Sequence, residues 1–217
     1  LDRLLRVFIH PPKAGGVSTT DALKEALPGR VQIFPRYFID REIGDETDIA
    51  IGHLSFGCHK TIRRVENRFN VRYLTQLRDP VDRAWSHWNY LVRQGRMEFT
   101  LIELLGSDRA IADNLMTRQL SGMAHSEPVS TDLKVTDDDL RQAKYNIAQH
   151  FDWIGVLDYY RASMARLSLL LEVDLPVYRH NTWTHRHPPT EEERAALEAN
   201  NQFDIELYRW VKSVYYP

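Results

Sequence analysis

Apolar residues along the chain gather into short blocks separated by longer amphipathic runs. Blocks at Leu4–His10, Val31–Phe34, Asp48–Leu54, Val71–Leu77 and Trp153–Val156 predict strands, and helical spacing lies between or after most of them. Such alternation predicts an α/β architecture, a central parallel sheet flanked by helices in three layers. The second half of the chain reads as more helical. Thr136 followed by Asp137, Asp138 and Asp139 marks a capped helix start, and Thr190 with Glu193 forms a capping box. Helix-start electrostatics accounts for these acidic runs without a metal. With no internal repeat, low-complexity stretch or linker, residues 1–217 are expected to form one domain.

The helix predicted after the fourth strand has a clear start. In RDPVDRAWSHWNYLVR, Asp79 is placed to cap and Pro80 suits the first turn. Val81, Ala84, Trp85, Trp88, Leu91 and Val92 follow helical spacing and are expected in the core. Arg83, Ser86, Tyr90 and Arg93 fall on another stripe, expected to face a ligand.

Chemistry enters at VFIHPPKAGGVSTT, residues 7–20, which reads as a strand, a glycine turn and a helix start. Unpaired amides at a helix N-terminus, glycines that allow close approach and the helix dipole together make a phosphate cradle. The order differs from the Walker pattern, because Lys13 precedes Gly15 and Gly16. In a parallel sheet, ligands bind beyond the carboxyl ends of the strands. The phosphate loop, the RDP segment and HLSFG each follow a predicted strand, so all three are expected to converge at one sheet edge.

PKAGGVST, followed by a strand and RDPVDRAWS, resembles the two signature elements of sulfotransferases that use 3′-phosphoadenosine 5′-phosphosulfate, PAPS. The resemblance has the flavour of the carbohydrate sulfotransferases related to the heparan sulfate 2-O and 6-O enzymes. NLMTRQLSG from Asn114, FDWIGVLDYYRASMARL from Phe151 and the closing helix around Phe203–Val214 look like later family segments. His10-Pro11-Pro12 departs from the pattern, in which an aliphatic residue more often precedes the second proline. The resemblance implies a P-loop-type fold, PAPS as donor and 3′-phosphoadenosine 5′-phosphate, PAP, as product. It assigns the 5′-phosphosulfate to Lys13, Ala14, Gly15, Gly16, Val17, Ser18 and Thr19, and the 3′-phosphate to Arg78 and Ser86. Arg186, in a late loop, is placed near the 3′-phosphate by analogy of position.

Sulfuryl transfer to an alcohol needs a base for the hydroxyl proton, and imidazole is matched to that task. His53, at the end of DIAIGHL, resembles the strand-end base of heparan-type enzymes; the bland alternative is a histidine that hydrogen-bonds at a strand end. His59 is second choice. Lys13 is expected to stabilise charge on the bridging oxygen in an in-line displacement that requires no metal. His180, His185 and His187 read as part of a loop over the cofactor or acceptor, since no familiar zinc spacing accompanies them.

A single cysteine, Cys58, excludes an intramolecular disulfide; it is expected as a small buried thiol in a reducing, cytoplasmic compartment. A net charge of −2 argues against a partner that is a long polyanion, nucleic acid included. No apolar run is long enough for a membrane span, and the expectation is either a longer native N-terminus or a domain excised from a longer chain. The acceptor is expected to be a hydroxyl of a carbohydrate, a glycolipid head group or another small molecule. Trp85, Trp88, Tyr90, Trp153 and Trp183 are candidates to stack on a sugar, with the first two favoured as core. Two rival readings predict other behaviour: a P-loop kinase of a small metabolite, needing ATP and magnesium, and a non-catalytic module that binds PAPS or PAP.

Overall fold

A computed structural model describes residues 3–34, 42–61, 65, 68–96, 98–106, 113–123, 134–178 and 188–217. Five strands, β1 (Arg3–Ile9), β2 (Val31–Ile33), β3 (Ile49–Gly52), β4 (Phe69–Leu77) and β5 (Phe151–Val156), pair in the order β2-β3-β1-β4-β5. All four pairings are parallel. The strands lie where the apolar blocks predict, each end within two residues.

Burial of both faces explains why the strands read as nearly continuous apolar runs. Leu5, Val7 and Ile9 of β1 join a core with α4 (Leu115–Ser121), α5 (Asp137–His150) and α8 (Gln202–Tyr215). Phe8, pointing the other way, joins a core with α1 (Gly16–Ala26) and α6 (Tyr160–Leu171). A third cluster packs α2 (Pro80–Arg93) against α3 (Leu101–Leu105) and α7 (Glu191–Asn200). After β5, the regular elements of the described residues are helical. The capping boxes of α5 and α7 form at Thr136 and Thr190, and a third, at Thr100 and Glu103, starts α3. None of the helices among the described residues is long and apolar enough to cross a membrane.

The chain leaves β1 toward β2 on one side and leaves β4 toward β5 on the other. Diverging connections open a crevice between β1 and β4, the switch point at which parallel sheets take ligands. The phosphate loop follows β1 and the RDP segment follows β4, so both segments border that crevice.

Helix α2 departs from its predicted faces. Val81, Ala84 and Trp85 are buried as expected, but Arg83 is fully buried and Val92 is 39% exposed. The first turns of α2 are buried except at Asp82, whereas residues 88–93 are half-buried or exposed, so spacing alone misplaces both residues. Burial lowers the Arg83 pKa, and the charge of Asp204 on α8, also fully buried, opposes that shift. Asp204 caps α4 from outside: its carboxylate accepts from Met116 N at 3.0 Å, Thr117 N at 2.7 Å and Thr117 Oγ1 at 2.8 Å. Burial pushes its pKa up, while Arg83 and these donors oppose the shift. Removing the acceptor of these buried donors leaves them unsatisfied, at about 1–3 kcal/mol each. Asp204→Ala is therefore expected to cost about 3 kcal/mol or more, read as a lowered denaturation midpoint with unchanged cooperativity.

Candidate active site

Parallel register assembles the site. Ile9 pairs with Gly52 on one side and with Thr75 on the other, so the residues one step further along, His10, His53 and Gln76, come out side by side. The His10 amide donates to Gly52 O at 2.9 Å and Thr75 Oγ1 donates to Ile9 O at 3.0 Å, locking the three strand ends together.

The loop from His10 to Gly15 turns tightly. Lys13 has φ 67° and Gly15 φ 86°, both left-handed, with Gly15 as the N-cap of α1. A left-handed lysine is uncommon and marks a backbone held by its surroundings. Gln76, fully buried at the end of β4, supplies much of that hold. Its Nε2 donates to Ala14 O at 2.7 Å and its Oε1 accepts from Thr19 Oγ1 at 2.6 Å. A Cβ at Gly15 would fall 2.6 Å from Gln76 Nε2, and one at Gly16 would fall 1.8 Å from the His10 ring. Both glycines are thus required by close approach.

Helix α1 begins without a side-chain cap or an acidic residue in its first turn. The amides of Gly16, Val17 and Ser18 have no carbonyl one turn back in the helix, and the dipole makes this end positive. Alternating backbone handedness before a helix forms a nest of N–H groups suited to an anion. Thr19 has its side chain fully buried and its hydroxyl engaged with Gln76, so that hydroxyl braces the loop from beneath. Val17, in contrast, is half-exposed.

Arg78, directly after β4, donates from Nη1 to Lys13 O at 3.2 Å and so ties the second segment to the first. Asp79 caps α2 by accepting from Asp82 N at 3.1 Å, with Pro80 at the first turn as predicted. The Lys13 ammonium lies 4.7 Å over the Tyr90 ring. Burial, and then repulsion from Arg78 and Arg93, holds Lys13 below the ordinary lysine range. Burial also lowers Arg78, opposed by Asp82, Asp79 and Asp158. Three cations converging beside an uncapped helix start fit a ligand with several negative charges. Ser86 is buried on α2.

The two histidine candidates separate clearly. His53 is exposed at the end of β3, and its Nδ1 lies 2.7 Å from His10 O. A carbonyl can only accept, so Nδ1 carries the proton and Nε2 the lone pair. His59 sits on the 3₁₀ turn Cys58–Lys60, its Nδ1 hydrogen-bonded to the hydroxyl of buried Tyr73, which also accepts from Gly57 N. Cys58 is buried, and burial pushes its thiol up to about 12, as expected of an inert packing residue.

Trp153 is corrected as a sugar platform: it is buried and donates to Ser163 O at 2.9 Å. Trp85 is buried, Trp88 packs partly against the same cluster, and Tyr90 is exposed. Arg186, Trp183, His180, His185 and His187 lie outside the described residues. Sequence reasoning missed Gln76 and His10. The available signal for Gln76 was a long polar side chain inside the apolar run VRYLTQL.

No protein-family model matches the chain, and no curated protein matches it in sequence. Its fold is similar to that in the crystal structure of a sulfotransferase from Alicyclobacillus acidocaldarius, with a TM-score of 0.58 at 16% identity. The match covers 97% of this chain and 96% of that one, so the likeness is one of whole architecture, α/β with a central parallel sheet.

Proposed function

We propose that the chain is a PAPS-dependent O-sulfotransferase that transfers the sulfuryl group to an acceptor hydroxyl, probed first on carbohydrates. The observation that carries this reading is the meeting of Lys13, Arg78 and Arg93 with the start of α1 at the β1/β4 switch point. An anion charged at two ends suits such a site better than a single phosphate does. Similarity of the whole fold to a sulfotransferase supports it.

PAPS, when bound, supplies a sulfuryl group on a phosphate leaving group. In this reading the amides of Ala14, Gly15, Gly16, Val17 and Ser18 hold the 5′ end, and Arg78 and Ser86 hold the 3′-phosphate. His53 Nε2 accepts the acceptor's hydroxyl proton as the new oxygen–sulfur bond forms and the bond from sulfur to the phosphate oxygen breaks in line. Lys13 stabilises the charge left on that oxygen. Positioning and preorganised positive charge supply most of the acceleration, and the scheme uses no metal. Arg186 is retained as a further 3′-phosphate contact to be probed by substitution.

Lys13→Ala is expected to lower turnover by about 100-fold, the typical effect of losing one preorganised charge contact, with a smaller change in PAP affinity. Calorimetry with PAP alongside initial rates checks the split. The reading itself is tested by thermal shift with PAP, ATP and GDP, and by turnover of sulfur-labelled PAPS over a panel of glycan, glycolipid and small alcohol acceptors. PAP should stabilise the fold and at least one acceptor should be labelled. Stabilisation by ATP alone would favour the kinase, and PAP binding without turnover would favour the binding module.

A further inference from the structure

His10 lies beside the phosphate loop, and the proposed reaction gives its side chain no task. A Cβ at Gly16 would fall 1.8 Å from Cδ2 and 1.9 Å from Nε2 of that imidazole, so the ring fills the space glycine leaves at the first turn of α1. Its centroid lies 5.9 Å from the Phe8 ring and 4.7 Å from the His53 ring, each at 28°. Phe8 is buried, His10 half-buried and His53 exposed, so the three rings form a stack running out of the core. At its outer end, Nδ1 of His53 is hydrogen-bonded to the carbonyl of His10.

His10 thus touches His53 at two places, and the two contacts restrain different motions. A hydrogen bond at Nδ1 alone lets the imidazole swing about that bond, whereas a stacked face alone lets it turn in its own plane. Together they fix both the plane of the ring and the direction of Nε2. Sheet register builds the arrangement, because the β1–β3 pairing holds the two backbones at the required spacing.

We propose that His10 is a positioning residue for His53, fixing the plane, direction and tautomer of its imidazole beside the first turn of α1. The inference rests on the reading of His53 as the base. Burial, with His53 and Lys13 nearby, pushes His10 down to about 3, so its own ring stays neutral. An imidazolium formed on His53 would then lie against a neutral π face and not against a second cation.

The test compares His10→Ala, which removes the ring, with His10→Phe, which keeps a flat face. Imidazole nitrogen NMR on the free protein should show a protected Nδ1 proton on His53 in the wild type and in His10→Phe. In His10→Ala the bond to the backbone carbonyl remains but loses the ring that shields and steadies it, so that proton should exchange with solvent much faster than in the wild type. Turnover of PAPS with the acceptor found by the panel should fall about 100-fold in His10→Ala, the scale of a small misplacement of a reacting group, with PAP affinity unchanged and with recovery in His10→Phe. If the alanine variant does not fold, His10→Leu, bulky but without a flat ring, replaces it. A protected Nδ1 proton in the ring-less variant, or a loss of PAP affinity in place of turnover, would overturn the proposal. Full activity of His53→Ala would sink the base assignment alone, since the Nδ1 resonance still reports whether His10 orients His53.

Discussion

His53→Ala is expected to lower turnover of PAPS about 1000-fold, within the range of roughly 100- to 10,000-fold for loss of a general base, while PAP binds as in the wild type. The separation follows from placement. His53 stands at the end of β3, on the far side of β1 from Arg78, with its ring stacked on that of His10. Removing an exposed ring costs little stability, so the loss should be one of chemistry. Initial rates and PAP calorimetry on the same preparation check it; near-normal turnover would move the base to His59, whose Nδ1 is hydrogen-bonded to Tyr73.

Arg78→Ala should act on binding. A charge-assisted hydrogen bond is worth about 1.5–3 kcal/mol, which corresponds to a loss of PAP affinity of up to about 100-fold. Arg78 also bonds Lys13 O, so its removal relaxes the loop that it should help to charge. The loss should be larger for PAP than for adenosine 5′-phosphate, which lacks the 3′ group. Equal losses for both nucleotides would show that Arg78 serves the loop and not the 3′-phosphate.

Much of this arrangement was legible in the sequence because it is local. Strand periodicity, the Asp79-Pro80 helix start and the glycine turn each depend on neighbours within a few residues, and each appears where expected. What escaped depends on distant packing. Helical spacing put Arg83 on a ligand-facing stripe, but it is fully buried, and the buried carboxylate whose charge acts on it, Asp204, comes from the last helix. Thr19 belongs to the phosphate-loop motif by resemblance, and the structure adds that Gln76, 57 residues away, takes its hydroxyl. His10 read as an irregular loop entry until the β1–β3 register set it against His53. Periodicity says which side of an element is polar; it does not say which partner that side will meet.

The central claim is that the β1–α1 loop and the β4–α2 segment form one nucleotide site. A crystal structure of the chain with PAP tests it most directly. The account predicts the 5′-phosphate on the amides of Ala14–Ser18 and the 3′-phosphate on Arg78 and Ser86. A nucleotide bound elsewhere, or bound in the crevice with its 3′-phosphate away from Arg78, would contradict it.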